Sequence, residues 1–163
     1  MNLEELDKRL KALEDTEAVK QLHVHYVNCL NKAEYNDLIN CFTEDAIVDL
    51  HAGYAEGKNQ ITKLFREEIS NVHIGQEGPF SFHPIITVEG DKAKGSWLMY
   101  IQFARPRKLK LTQRAEMFDA PDWVQGYYEM EYTKKNREWK ISYLKWRNRL
   151  GSPLLDQQNE LNH

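Results

Sequence analysis

Apolar residues recur at steps of three and four over the first thirty positions: Leu3, Leu6, Leu10 and Leu13, then Val19, Leu22, Tyr26, Cys29 and Leu30. This spacing predicts an amphipathic helix. A bend or restart is expected near Asp15 and Thr16, although Val19 stands where a Glu would complete a capping box. Asn36 to Phe42 reads as a second short helix, ended by the turn-prone Thr43, Glu44 and Asp45. Ala46 to Leu50 is a short β-type run. Gly53 and Gly57 then punctuate the chain before a third helical pattern in Ile61, Leu64, Phe65 and Ile69.

After Ile69 the apolar period changes from about 3.6 to 2, the mark of pleated rather than helical packing. FSFHPIITVEGDKAKGSWLMYIQFA predicts two strands about Gly90 and Asp91, and DWVQGYYEMEYTKKNREWKISYLKWRNRL another pair about Lys135 and Asn136. RPRKLKLTQRAEMFDAPD between them is polar, carries two prolines and reads as a long loop or edge region. Helices first and long strands afterwards make an α+β chain, with helices on one side of a curved sheet. The expected organisation is a single domain over residues 1–150 and a C-terminal tail over 151–163.

The 163 residues include 22 Lys plus Arg against 25 Asp plus Glu, a formal net charge of -3. That balance disfavours a nucleic-acid partner. No signal peptide or apolar span is visible, so a cytoplasmic protein without membrane attachment is expected. Cys29 and Cys41 lack the close spacing of zinc or thioredoxin motifs and read as a reduced structural pair. His23 and His25 are two apart on a helix and point to different faces. With His51 on a separate segment they make no metal site, and no metal or other cofactor is expected.

Four segments in order carry a resemblance: EAVKQLHVHYVNCLNKAEYNDLINCFTEDAIVD, HAGYAEGKNQI, ITVEGDKAKGSWLM and GYYEMEYTKKNREWKI. Together they resemble the nuclear transport factor 2-like superfamily, in its SnoaL-like, scytalone dehydratase-like and bile acid 7-alpha-dehydratase-like branch, over roughly residues 14 to 149. The resemblance implies a cone-shaped α+β barrel, in which a bent antiparallel or mixed sheet and three N-terminal helices enclose a pocket for a small, mostly apolar ligand. It also implies a homodimer or higher homo-oligomer, commonly formed through the outer face of the sheet.

Candidate chemistry follows from the residues and from that resemblance. Tyr26 lies on the apolar stripe of the first helix, so its phenol faces inward and needs a partner, which a substrate oxygen can supply. Similar dehydratases use a tyrosine at this position. Asn31 stands where catalytic relatives carry an Asp paired with a histidine, and an amide cannot accept a proton at neutral pH. His73 and His83 both lie near the family's histidine, and His73 has the closer local pattern. Tyr54 matches a position that lines the cone mouth in some relatives, and Asp49 and His51 share a strand face beside it. Trp97 and Met99 share one face of their strand, and Tyr128 a face of the next. Arg147 corresponds to a late-strand arginine that holds polar substrate groups in relatives. No carboxylate stands between Trp97 and Gln102, a second departure from the dehydratase pattern. The cluster Arg105, Arg107, Lys108, Lys110 and Arg114 reads as a solvated loop or an attractor of anions.

The expected function is a cofactor-free lyase or isomerase, of dehydratase or ketosteroid-isomerase type. It would act by His-assisted proton transfer on a small hydrophobic ring substrate bearing a carbonyl, with His73, His83 and Tyr26 catalytic. Asn31, Tyr54, Trp97, Met99, Tyr128 and Arg147 would bind that substrate. Two alternatives stay open: a non-catalytic module for hydrophobic ligands or assembly, and a small structural subunit of a ring-hydroxylating dioxygenase.

Overall fold

The computed structural model describes residues 2–72, 77–103 and 123–151. Helix α1 spans Leu3–Asn31 and α2 Tyr35–Asn40. Strands β1 (Phe42–Leu50) and β2 (Gly53–Glu56) form a hairpin. Helix α3 (Lys58–Lys63) runs on through a π-helical stretch, Leu64–Ile69, and a closing turn, Ser70–Val72. Four long strands complete the chain: β3 (Glu77–Glu89), β4 (Lys92–Phe103), β5 (Trp123–Lys135) and β6 (Glu138–Gly151).

The strands form one six-stranded sheet in the order β2-β1-β6-β5-β4-β3. The β1–β6 pair is parallel and the other four are antiparallel. Among the described residues β2 and β3 are edges, so the expected barrel is a curved, open sheet. Register shifts in β1–β6, β3–β4 and β5–β6 supply the bends. The two predicted hairpin turns form. Gly90 has φ +59, while Asn136 and Arg137 take φ +53 and +68, the left-handed pair that a two-residue hairpin needs.

Two expectations are corrected. Helix α1 does not break at Asp15 and Thr16. The Asp15 carboxylate accepts from Lys134 Nζ and, at 3.0 Å, from Trp139 Nε1, while Thr16 Oγ1 donates to Ala12 O inside the helix at 2.8 Å. The polar pair is thus satisfied with the helix intact. Thr43, Glu44 and Asp45 are not a turn but part of β1. Ile141 N donates to Cys41 O at 2.8 Å, and Phe42 lies opposite Ile141 in parallel register, which draws the chain into the sheet one residue after α2 ends. The basic cluster in 105–114 and the tail after Gly151 lie outside the described residues.

The core sits between the inner face of the sheet and the second half of α1. Along β4 the buried positions are Ala93, Gly95, Trp97 and Met99; along β5 they are Gly126, Tyr128, Met130 and Tyr132. Alternation with period two puts all of these on one face. Val19, His23, Tyr26 and Leu30 of α1, at steps of four, three and four, pack from the other side. Among the described residues no helix is long and apolar enough to cross a membrane.

Candidate functional site

The inner face and α1 bring four sequence-predicted residues together. Tyr26 is fully buried, with Trp97, Met99 and Tyr128 buried nearby. Its ring meets Phe42 and Tyr128 edge-on at centroid distances of 5.8 and 6.2 Å. Its hydroxyl is buried and has no partner at good hydrogen-bond geometry, although the Tyr128 phenol stands beside it and acts on its titration. Burial raises its pKa well above the usual phenol value, and the neighbouring Tyr128 adds to this. Burial likewise pushes Tyr128 up to about 12. Both phenols are therefore neutral O–H donors across the physiological range. An unpartnered buried hydroxyl costs about 1–3 kcal/mol.

The histidine at this site is His23, which the sequence reading set aside. It is fully buried. Its ring stacks on Trp97 at 3.6 Å between centroids and 7° between planes. Nε2 lies 2.7 Å from Ser81 Oγ on β3, and Nδ1 lies 3.3 Å from Met130 Sδ. Neither partner is a carboxylate. Burial lowers the His23 pKa to about 3, so the imidazole is neutral at pH 7. The signal was present in the sequence: His23 is four residues after Val19 and three before Tyr26, on the buried stripe. Spacing relative to His25 concealed it, and nothing local marked Ser81 as its partner.

Trp97 carries the polar chain further. Its Nε1 donates to Tyr132 Oη at 2.9 Å, and that hydroxyl contacts Met130 Sδ at 3.2 Å. The indole is thereby fixed as a flat wall for His23. Gly95 is needed for this arrangement, because a Cβ there would lie 3.0 Å from Trp97 Nε1 and 3.1 Å from the Tyr132 ring.

The other predicted site residues lie elsewhere. Asn31, exposed at the end of α1, donates from Nδ2 to Val27 O at 3.1 Å and to Pro79 O at 2.9 Å, tying the helix to β3. His83 is exposed, with φ +47, inside the register shift between Phe82 and Ile85. Tyr54 is 61% exposed. Asp49 pairs with Lys145 rather than with His51, which is exposed in the β1–β2 turn. Arg147 lies exposed on the opposite face of the sheet, where its Nε donates to Glu129 at 3.1 Å. His73 lies outside the described residues. Among the described residues no three His, Cys, Asp or Glu side chains are placed to hold a metal ion.

Solved structures with the same architecture cover most of this chain. An NTF2-like protein with a cystatin-like fold from Novosphingobium aromaticivorans superposes with a TM-score of 0.72 at 18% identity, covering 93% of each chain. The hexachlorocyclohexane dehydrochlorinase LinA-type3 from Novosphingobium barchaimii gives 0.71 at 18% identity, covering 90% of this chain and 94% of that one. Kfla4162 from Kribbella flavida gives 0.70 at 16% identity, covering 88% and 97%. At these identities the likeness establishes the fold alone. No protein of curated function matches the sequence. The sequence pattern of the SnoaL-like domain matches residues 11–145, from within α1 into the last strand, and thus takes in every buried residue of the site. The chain belongs to the SnoaL-like domain family.

Proposed function

We propose that this protein is a cofactor-free lyase or isomerase that removes a proton beside a carbonyl, or beside a leaving group, in a small hydrophobic ring substrate. The observation that carries this reading is the Tyr26 hydroxyl, fully buried among aromatic rings and without a partner at good hydrogen-bond geometry. Such a donor in a water-poor site stabilises an oxygen that gains charge as the α-proton leaves. His23 is too weak a base for that proton, because a conjugate acid with a pKa of about 3 gives little driving force. Its part is that of a neutral imidazole, held by Ser81 and Met130 at its two nitrogens and by Trp97 at its face, that shapes the site without carrying charge. The proton is taken by His73 or His83, the two histidines offered by the family resemblance, of which His83 stands exposed in a bulge. The similar dehydrochlorinase is in keeping with an elimination on this fold.

A second reading, a module that binds without turnover, draws on Asn31. Its amide is committed to two backbone carbonyls and serves as a strut. One experiment separates the two. A β,γ-unsaturated cyclic ketone and a cyclic β-hydroxy ketone are incubated with the protein, and formation of the conjugated enone is followed by ultraviolet absorbance. Catalysis predicts turnover above the buffer rate that falls in Tyr26→Phe and in one of His73→Gln and His83→Gln. Saturable binding of both probes with no enone above buffer would refute the enzymatic reading.

A further inference from the structure

The hydrogen bonds around His23 form a chain whose direction is fixed at every link. Trp97 Nε1 can only donate, and it gives its proton to Tyr132 Oη at 2.9 Å. The Tyr132 hydroxyl then donates onward to Met130 Sδ, 3.2 Å away. A thioether sulfur carries no proton and can only accept. His23 Nδ1, 3.3 Å from the same sulfur, must therefore hold the ring proton. The imidazole is neutral, because burial lowers its pKa to about 3, so Nε2 is left bare. Ser81 Oγ, 2.7 Å from Nε2, has to donate its own proton there. The chain thus ends on an oxygen whose hydrogen points inward and whose lone pairs are left for another molecule.

Position suits that oxygen to react. His23 is fully buried, whereas Ser81 is half-buried on β3, an edge strand among the described residues, where it lies opposite Met99 on the inward face. The Trp97 ring stacked on the imidazole at 3.6 Å and the Met130 sulfur hold the base in one orientation. A hydroxyl within hydrogen-bond reach of a bare imidazole nitrogen, on a base oriented by a third group, is the arrangement of an activated nucleophile. We propose that Ser81 and His23 form a nucleophile–base dyad that accepts the acyl group of an ester whose leaving group is a phenol. Ser81 Oγ bonds to the carbonyl carbon while Nε2 takes the hydroxyl proton. The C–O bond to the leaving group then breaks, and the proton on Nε2 passes to the departing phenolate oxygen. Water, giving its proton to the same nitrogen, attacks the acyl-serine; the carboxylic acid leaves and the proton returns to Oγ. Ester plus water thus become acid plus phenol, with nothing oxidised or reduced. The substrate class follows from the group at Nδ1. A carboxylate there would stabilise the imidazolium, but this chain has a neutral sulfur, so the charged ring is tolerated only beside the oxyanion of the tetrahedral adduct. A base this weak suits a leaving group that departs with little protonation, a phenol rather than an alkyl alcohol. The demand differs from taking a carbon-bound proton, because here the proton moves along an existing hydrogen bond as the new bond to carbon forms.

The test uses the full chain with 4-nitrophenyl acetate at neutral pH, following release of 4-nitrophenolate by absorbance. Phenylmethanesulfonyl fluoride serves as an irreversible label, and peptide mass spectrometry locates the group transferred from each reagent. Release above the buffer rate is expected, with the acetyl and sulfonyl groups on Ser81. Ser81→Ala and His23→Gln should each lower the release rate at least about a hundredfold. Ser81→Cys should keep acetyl transfer, now to sulfur. Ser96→Ala, at a half-buried position on the other face of the sheet, should leave the rate unchanged. Release no faster than buffer, or labels found only on lysines, overturns the proposal. So does a Ser81 labelled equally fast in His23→Gln, or one that binds the ester saturably without taking its acyl group. Enone formation from the cyclic ketones is read with its own probes, so either activity can fail while the other stands.

Discussion

The burial of His23 has a thermodynamic consequence that depends on no substrate. In the unfolded chain the imidazole titrates near 6.5; in the folded protein desolvation lowers that to about 3. At pH 7 neither state holds the proton and the residue makes no pH-dependent contribution. Below pH 6.5 the unfolded chain binds a proton that the folded chain refuses, so stability falls as the pH falls, until the folded form also protonates near 3. At about 1.36 kcal/mol per pH unit the full span is about 5 kcal/mol, and the loss at pH 4 is about 3 kcal/mol. Set against a typical domain stability of about 5–15 kcal/mol, the loss at pH 4 is a substantial share of the total. His23→Gln keeps an amide for Ser81 and removes the titration. Urea unfolding at a series of pH values should show the variant's stability curve flatter than wild type between pH 6.5 and 4 by up to one bound proton. Asp15 does not confuse the result. Burial works to raise its pKa, but the Lys134 and Trp139 hydrogen bonds outweigh it and the net shift is downward, so its contribution is lost only below the ordinary aspartate range. Parallel stability curves for the two proteins, or a His23 ring resonance titrating near 6.5 in the folded state, would refute the reasoning.

Asp15→Asn should cost about 3 kcal/mol in urea unfolding, because it leaves the Lys134 ammonium, with only 17% of its side chain exposed, without its counter-charge. Tyr26→Phe should raise stability by about 1 kcal/mol, since it deletes a buried hydroxyl that has no partner at good hydrogen-bond geometry. The same change should reduce any turnover by at least about a hundredfold; a destabilised variant would show that the hydroxyl is satisfied in the free protein. His25→Ala should stay within about 0.5 kcal/mol of wild type despite the contact of His25 with Cys29, whereas His23→Ala should cost about 3 kcal/mol from the emptied stack on Trp97 and the lost Ser81 partner.

What the sequence made legible was what depends on neighbours within a few positions. The alternation through Trp97 and Met99 on β4, and through Tyr128 and Met130 on β5, assigned the inner face correctly, and the turns at Gly90 and Asn136 placed the hairpins. What it concealed was each feature decided by a distant partner. Thr43 to Asp45 have turn-forming side chains, yet they extend as the bulged stretch of β1 between the Phe42–Ile141 and Ile47–Tyr143 pairs with β6. His23 looks like half of an uninformative pair until Ser81 and Trp97 are beside it. Helix α1 shows the limit most clearly. Its leucines run at steps of three and four up to Leu13, then the stripe resumes six residues later at Val19. Such a jump in phase has two physical readings: the helix bends so that one face stays on one partner, or it runs straight and changes partner. Local sequence cannot choose between them, and the expected break at Asp15 took the first. The buried contacts of Asp15 with Lys134 and Trp139 hold the helix through the jump, so the second applies. One helix then has two apolar faces, the later one facing its own sheet and the earlier one exposed.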